Sequence, residues 1–387
     1  MNESARRPPA PIPLTVITGF LGAGKTTLLN RLLKAPELAD TLVIINEFGE
    51  IGLDHLLIER VDGDMIVMSS GCLCCTIRGD LIATLEDLLR RRDNGRITPF
   101  ERIVIETTGL ADPAPILHTI MYHPYLMLRF RLNGVVTLID AVNGYSTLDA
   151  HEEALKQAAV ADRLVITKSD LVENAADLAA LSARLAALNP AAILCDAAKG
   201  ETRAEDLFNL GLYDPARKSM DVRKWLNAEA VAADTHERAH DANHLHQDEH
   251  GDHVHLDVNR HDARIRAFCL KYETPMDVGA FDMFVELLRT AHGEHLLRVK
   301  GIVALADDPM RPVVVHGVQH VFHPPVRLDA WPDADHTTRI VFILRDMQPG
   351  FVEGMWKAFA GVAAADTADR LAITDNPLKP QSRGLLG

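Results

Sequence analysis

Two short segments of the sequence combine residue types and spacing that can do chemistry. The first, Gly19-Phe20-Leu21-Gly22-Ala23-Gly24-Lys25-Thr26, fits the pattern G-x-x-x-x-G-K-[ST] in full. In such a loop, glycines let backbone N–H groups converge on phosphates, the lysine reaches the β- and γ-phosphates, and the hydroxyl ligates Mg²⁺. The residues predicted to bind the nucleotide phosphates and Mg²⁺ here are Gly19, Gly22, Ala23, Gly24, Lys25, Thr26 and Thr27.

The second segment, Gly71-Cys72-Leu73-Cys74-Cys75, holds three of the five cysteines in the chain. Adjacent side chains cannot point the same way on a regular strand, so we expect a loop here. Thiolates suit Zn²⁺, Cu(I) or iron, and three local ligands leave a position for water, another side chain or a ligand from a target. The alternatives are a redox pair, or two ligand cysteines and a spare one.

A third segment, Thr167-Lys168-Ser169-Asp170, resembles the Asn-Lys-x-Asp loop that reads guanine in GTPases. A carboxylate such as Asp170 accepts from two guanine donors, whereas adenine presents an acceptor to it, and the Lys168 stem would cover the base plane. Thr167 replaces the usual asparagine, which weakens the preference for GTP over ATP. Residues 195–199 follow the next strand and could close over the base.

Two further strands end in carboxylates. The strand over residues 103–105 runs into Glu106, which would hold Mg²⁺ with Thr26, while Gly109 could donate its N–H to the γ-phosphate and begin a mobile switch. The segment Asn46-Glu47-Phe48-Gly49-Glu50 could form the other switch. No glutamine stands out as a residue that positions water, so we expect slow intrinsic hydrolysis. The predicted catalytic residues are Lys25, Thr26, Glu106 and Gly109.

Near-continuous apolar strands, separated by helical patterns, must position these residues. That alternation predicts an α/β P-loop NTPase domain with a mainly parallel sheet covered on both faces. The carboxyl ends of parallel strands share one edge, so the cysteine loop, which follows the strand over residues 65–68, should lie near the nucleotide loops. Glu47 and Glu50 would lie at the same edge and could each lend an oxygen to its metal.

Length and composition bound the protein class. The chain has 387 residues, which predicts two or three domains, and its 47% hydrophobic and 24% charged residues are typical of a folded globular protein. The net charge of −14 argues against general nucleic-acid binding. Because no stretch approaches the roughly 20 apolar residues of a membrane span and no signal peptide is evident, we expect a cytoplasmic protein without a membrane partner.

A change in composition divides the chain into segments. Eight of the 18 histidines lie between His236 and His261, among carboxylates and almost no large apolar residues, which predicts a flexible linker. The predicted segments are a leader (1–12), the P-loop domain (13–215), the His-rich linker (216–262), a smaller α+β domain (263–371) and a flexible tail (372–387).

Histidines in the linker have spacings that allow weak, labile metal binding, although a solvated linker is the alternative. The candidate ligands are His244, His246, His250, His253 and His255. Elsewhere, we interpret three histidines, His316, His320 and His323, as scattered surface or packing residues, and Cys195 and Cys269 as buried small side chains. Arg298 and Lys300 could face the P-loop domain or a client protein, or could equally be solvated residues of a strand.

Taken in chain order, the P-loop, the Asn-Glu-Phe-Gly-Glu segment, the cysteine motif, Glu-Thr-Thr-Gly-Leu-Ala-Asp-Pro and Thr-Lys-Ser-Asp resemble the CobW-type GTPases. Residues 297–302 and 339–343 resemble the C-terminal domain of that family. The resemblance implies a GTP-dependent metallochaperone that carries metal on Cys72, Cys74 and Cys75 and hands it to a metalloprotein client on GTP hydrolysis. Zinc is the default cargo, with Co²⁺ or Fe²⁺ for cobalamin synthesis or nitrile hydratase maturation as alternatives.

Two competing functions remain at this point. One is a metal-storage protein that uses the His-rich run and has only a weak GTPase, and metal-dependent GTP turnover would separate it from a chaperone. The other is a P-loop kinase acting on a small metabolite, which a substrate-independent GTPase rate would exclude. The sequence does not identify the client protein, and it is compatible with a homodimer.

Overall fold

The computed structural model describes residues 10–48, 65–70, 76–208 and 264–361. The cysteine loop, the predicted His-rich linker and the predicted tail lie outside these ranges, as do the domain boundaries predicted at residues 215, 262 and 371. Within the described ranges the chain forms two sheets, one parallel and one antiparallel.

The first sheet has seven parallel strands in the order β3-β2-β4-β1-β5-β6-β7. The strands are β1 (Ile12–Gly19), β2 (Thr41–Phe48), β3 (Met65–Ser70), β4 (Arg102–Glu106), β5 (Phe130–Asp140), β6 (Arg163–Thr167) and β7 (Ile193–Asp196). Neighbouring residues of one strand enter different cores, since Val16 packs in one hydrophobic cluster and Ile17 in another. The sheet is therefore covered on both faces, which confirms the predicted fold class.

Helices cover the two faces of this sheet. They are α1 (Lys25–Leu33), α2 (Thr76–Asp93), α3 (Ala114–Tyr122), α4 (Leu126–Arg129), α5 (Gly144–Ala150), α6 (Glu152–Ala159), α7 (Ala175–Leu188) and α8 (Ala204–Phe208). Leu85, Leu88 and Leu89 of α2 are buried, as their spacing on one helical face predicted. The four helices α3 to α6 were not anticipated from the sequence.

The second domain is α+β, as predicted. Its strands are β8 (Ile265–Tyr272), β9 (Leu296–Val303), β10 (Val313–Val318), β11 (Val321–Phe322), β12 (Val326–Arg327) and β13 (Thr338–Arg345). They pair antiparallel in the order β11-β10-β9-β13-β8, with β12 beside β10. Helices α9 (Val278–His292) and α10 (Pro349–Phe359) pack on the sheet around Trp356, and Asp277 caps α9 by accepting from Ala280 N at 3.0 Å.

One expectation about the second domain was wrong. Cys269 is exposed, whereas Cys195 is buried as expected. The reason is that successive side chains of a strand point to opposite faces: Leu270 on β8 enters the core of the second domain, so Cys269 lies on the other face. An apolar-looking run on an edge strand does not guarantee burial of each residue.

Buried charges join the two domains. Arg298 on β9 donates to Asp162, which precedes β6, and Lys300 Nζ lies 3.9 Å from the same carboxylate. The structure thus settles the alternatives for these two cations, because both face the P-loop domain. Nearby, His118 of α3 donates to Val318 O at 3.2 Å, so a second element of the P-loop domain is also docked on β10.

Among the described residues, the helices are all too short or too polar to traverse a lipid bilayer.

Candidate nucleotide and metal site

The predicted chemistry is concentrated at the carboxyl edge of the parallel sheet. In the register of the sheet, Ile17 of β1 lies beside Glu106 of β4, and Glu106 lies beside Ile45 of β2. The loops that follow these three strands therefore leave the sheet at the same level, and their functional groups can act on one ligand.

The phosphate loop needs glycine at two positions for different reasons. At Gly19 the backbone φ is 140°, and a Cβ atom would lie 2.5 Å from Leu138 O, so no side chain fits. Gly24 has φ 86° and ψ 22°, the left-handed conformation, at the N-cap of α1. This conformation lets the loop turn into the helix, whose first N–H groups then face the phosphate position.

Lys25 is the first residue of α1, and its side chain folds over the phosphate loop. Its Nζ donates to Gly19 O at 2.8 Å and to Phe20 O at 3.2 Å. The ammonium group is therefore held above the loop that binds phosphates, where a positive charge would pair with a γ-phosphate.

Thr26 and Glu106 meet in the structure, as the sequence predicted for a Mg²⁺ site. Thr26 Oγ1 donates to Glu106 Oε1 at 3.1 Å, and Glu106 is 4% exposed. A hydroxyl and a buried carboxylate beside a phosphate loop form the oxygen donor set that Mg²⁺ prefers, so these residues fit that ion. Thr27, the next residue, is exposed.

The loop after β4 lies directly against the phosphate loop. At Gly109, a Cβ atom would be 2.6 Å from Leu21 N, so the two loops approach at backbone distance. Thr107 anchors the start of this loop, because its N–H donates to Ile17 O at 2.9 Å and its hydroxyl donates to Thr18 Oγ1 at 2.8 Å. A γ-phosphate bound in the phosphate loop would therefore touch the second loop as well.

Thr167, which stands where the guanine loop of GTPases has asparagine, links the loop after β6 to the phosphate loop. Its hydroxyl lies 2.8 Å from Ala23 O and 3.3 Å from Ile139 O, linking β6 to the phosphate loop and to β5. Lys168 adopts the left-handed conformation with φ 58°, and its Nζ pairs with Asp140 Oδ2 at 2.7 Å. The replacement of asparagine by threonine therefore keeps the link to the phosphate loop.

Asp140 holds Lys168 as an ionised carboxylate. Burial alone would raise the pKa of Asp140, but hydrogen bonds from Lys168, Val142 N and Asn143 outweigh it and lower the pKa below its usual value. A small cavity of about 140 Å³ lies between Lys168, Asp140 and the phosphate loop residue Phe20.

Asp170, the predicted guanine reader, is exposed in the 3₁₀ turn Ser169–Leu171. The preceding Ser169 donates to Asp196 Oδ1 at 2.5 Å, and Ala198 N donates to the same oxygen at 3.0 Å. Burial raises the pKa of Asp196, yet these hydrogen bonds and Lys199 lower it overall. The segment 195–199 is therefore tied to the loop of residues 167–170, which we call the base loop, and its closing over a base stays a prediction.

The metal ligands predicted from the cysteine motif lie mostly outside the described residues. Cys72, Cys74, Cys75 and Glu50 fall in the undescribed ranges, as do the candidate histidines of the linker. Glu47 on β2 pairs with Ser69 on β3, one residue before that strand ends at Ser70. Within the described ranges alone, no cluster of three or more His, Cys, Asp or Glu side chains could hold a metal ion.

Two residues of the site were missed by sequence reasoning. Asp140 ends an apolar strand just as Glu106 does, and that position was the signal which could have identified it. Gln157 on α6 donates to the carbonyl oxygens of Gly109 and Ala111. These contacts span 46 to 48 residues, and no local sequence pattern predicts them.

Comparison with known proteins agrees with this architecture. A family model described as CobW/HypB/UreG, nucleotide-binding domain, matches residues 13–196, and the model of the cobalamin synthesis protein cobW C-terminal domain matches residues 265–360. The chain is 32% identical to the zinc chaperone YjiA of Escherichia coli strain K12 over 312 residues, which cover 81% of this chain and 87% of that protein.

A second relative is the zinc chaperone CobW of Pseudomonas aeruginosa, 30% identical over 355 residues that cover 87% of this chain and 88% of the relative. The crystal structure of Zn(II)-bound YjiA GTPase from E. coli superposes with a TM-score of 0.63 and 27% identity, covering 92% of this chain and 100% of the other. With both of its domains matched, this chain belongs to the CobW/HypB/UreG family and carries the cobW C-terminal domain.

Proposed function

We propose that this protein is a GTP-dependent metallochaperone that carries zinc on its cysteine loop and releases it to a metalloprotein client when GTP is hydrolysed. The observation that carries the proposal is the contact between Thr26 and Glu106 behind the phosphate loop. Glu106 belongs to β4, which pairs with β2, and β2 pairs with β3, the strand that leads to the cysteine motif. Two relatives described as zinc chaperones, which this chain matches over most of their length, support the same function.

Hydrolysis would use residues of the two apposed loops. Lys25 and the loop amides would bind the β- and γ-phosphates, and the Gly109 N–H would contact the γ-phosphate. Thr26 and Glu106 would hold Mg²⁺, which when bound neutralises charge on the phosphate oxygens. Intrinsic turnover is slow in this proposal, because no glutamine stands out in the sequence as a residue that positions water.

Guanine would be read by the loop after β6. Asp170 would accept from the base, Lys168 would cover its plane, and Thr167 would hold this loop against the phosphate loop. The test is a competition in which GTP or ATP displaces a fluorescent GDP analogue. We expect GTP to displace it at lower concentration, and equal displacement by ATP would refute the guanine assignment.

Zinc would be carried as cargo on Cys72, Cys74 and Cys75, with an oxygen from Glu47 or Glu50. Three thiolates that remain reduced suit a cytoplasmic protein, where we place this one. A variant in which all three cysteines are serine should lose tight zinc binding but keep GTP binding. The same titration with Co²⁺ and Fe²⁺ tests the alternative cargoes, and unchanged zinc affinity in the variant would refute the site.

The His-rich segment would supply weaker, labile metal sites. Its candidate ligands are His244, His246, His250, His253 and His255. Deletion of residues 236–261 should lower the number of zinc ions bound per chain while leaving GTP affinity unchanged. An unchanged zinc stoichiometry would mean that the segment is only a solvated linker.

A further inference from the structure

Gln157 is a fully buried side chain that belongs to neither the phosphate loop nor the base loop. It lies on α6, is 0% exposed, and its Nε2 donates to Gly109 O at 3.2 Å and to Ala111 O at 3.0 Å. Both carbonyls belong to the loop after β4 that packs on the phosphate loop. The side-chain amide of Gln157 therefore donates both of its N–H groups to this one loop.

The two hydrogen bonds fix the orientation of the loop as well as its position. In a trans peptide the carbonyl and the following N–H point in opposite directions. With the Gly109 carbonyl directed at Gln157, the N–H of Leu110 is directed away from α6, and the Ala111 carbonyl fixes the peptide that follows it in the same way. Two peptide planes of the loop, the one between Gly109 and Leu110 and the one between Ala111 and Asp112, are therefore set by one side chain.

Helix α6 is itself held firmly, so it can serve as a fixed support. Thr137 Oγ1 of β5 donates to the backbone oxygen of Gln157 at 2.8 Å. At the end of the helix, Asn189 Nδ2 lies between 2.8 and 3.0 Å from the carbonyl oxygens of Ala158, Ala159 and Ala161. The next residue, Asp162, is the one that binds Arg298 of the second domain.

We propose that Gln157 is a positioning residue for GTP hydrolysis, which holds the loop after β4 in the geometry that presents Gly109 to the γ-phosphate. This inference rests on the GTPase activity proposed above. Gln157 would act through the loop, because both N–H groups of its amide are used on the loop carbonyls. Its effect is expected in the rate of the chemical step, where a displacement of about 1 Å can slow turnover about 100-fold.

The variant Gln157→Met tests this, since methionine has a similar size and shape but no N–H donors. We expect kcat to fall about tenfold or more, while KM for GTP changes by less than about threefold because Lys25, Thr26 and the base loop are untouched. Gln157→Glu keeps the shape of the side chain and places a carboxylate against the two carbonyls. Gln157→Glu should show the same loss of kcat. It replaces Gln157→Met in the experiment if the methionine variant fails to fold.

Asn133→Leu is the matched control. Asn133 is also a buried amide that makes two donated hydrogen bonds, to Phe208 O at 2.6 Å and Thr15 Oγ1 at 3.2 Å, but it lies in the first half of β5, away from the carboxyl edge. We expect it to lower stability while keeping kcat within about twofold of the parent protein.

Two results would overturn the role of Gln157. One is a kcat within about twofold of the parent in the folded Gln157 variants, and the other is an equal loss of kcat in Asn133→Leu. A parent protein that binds GTP but never hydrolyses it would instead refute the proposed function, and this inference with it.

Discussion

Two buried cations of this protein, Lys25 and Arg298, differ in what they contact. Lys25 is 8% exposed and donates hydrogen bonds to the uncharged carbonyl oxygens of Gly19 and Phe20. Arg298 is 1% exposed and donates to the carboxylate of Asp162, which is 2% exposed. Both cations lie in the protein interior, but Lys25 lies over a loop built to bind phosphates, whereas Arg298 lies between two domains.

The difference separates a charge kept for a ligand from a charge used in folding. Lys25 lies where a phosphate bound in the loop would pair with its ammonium group, whereas Arg298 is bound to a carboxylate of the protein itself. The phosphate loop and the domain interface should therefore respond in opposite ways to loss of the cation.

The largest expected effect is on stability, at the interface. Arg298→Met leaves Asp162 buried with the Val135 N–H and a lysine 3.9 Å away, Lys300, as its remaining partners. Removing one partner of a buried pair costs about 3–5 kcal/mol, so we expect the free energy of unfolding to fall by that amount. Urea unfolding followed by circular dichroism measures it, and the folded fraction should still bind GTP normally.

Arg345→Ala is the matched control for this prediction. Arg345 also crosses the interface, pairing with Glu152 at 2.8 Å, but its side chain is 24% exposed and that of Glu152 is 37% exposed. A pair screened by solvent contributes about 1 kcal/mol or less, so this variant should be nearly as stable as the parent. Equal losses in the two variants would mean that burial of the Arg298 pair is not what stabilises the interface.

The next effect is on ligand affinity, at the phosphate loop. Lys25→Ala removes the charge expected to meet the β- and γ-phosphates, and we expect the Kd for GTP to rise about 100-fold. The free energy of unfolding should fall by less than in Arg298→Met, because the hydrogen bonds that Lys25 donates to Gly19 O and Phe20 O end on uncharged carbonyls and contribute about 0.5–1.5 kcal/mol each. Titration calorimetry and urea unfolding measure the two quantities. A stable protein with unchanged affinity, or a large loss of stability, would break the contrast with Arg298.

A smaller effect should appear in the pH dependence of the free energy of unfolding. Burial, together with the positive charge of Arg298, lowers the pKa of His323 from 6.5 to about 3. Between these values the unfolded chain binds a proton that the folded protein does not, so stability rises with pH. On acidification from pH 7 to pH 5, the free energy of unfolding should fall by up to about 1.4 kcal/mol for each pH unit below 6.5.

The variant His323→Gln should remove this component of the slope. Unfolding free energies measured at several pH values in the two proteins give the comparison directly. If the variant and the parent show the same slope between pH 7 and pH 5, the neutral, half-buried His323 is not the source of the acid sensitivity.

Much of the nucleotide site could be predicted from the sequence because its contacts are local or follow from the sheet. Lys25 contacts carbonyls five and six residues away in its own motif. Thr26 and Glu106 are 80 residues apart, but parallel strands bring their carboxyl ends to one edge, so their meeting could be expected. The same rule would have identified Asp140.

The contacts of α6 and of the interface could not be predicted in this way. Gln157 and Asp162 have partners 46 to 136 residues distant, and which side chains meet there depends on how short helices and a second domain pack. Helix α6 itself, over residues 152–159, is a single Ala-rich stretch of eight residues and was not anticipated. Arg298 and Lys300 could be identified as candidates for an interface, but not assigned to it.

The central claim, that the state of the nucleotide controls the affinity for zinc, is tested most directly by a zinc titration against a competing chelator. The protein should be loaded either with Mg²⁺ and a non-hydrolysable GTP analogue or with Mg²⁺ and GDP. Coupling free energies between two sites are typically about 1–3 kcal/mol, so we expect the two zinc affinities to differ by about 5- to 150-fold. Identical affinities in the two nucleotide states would contradict the account.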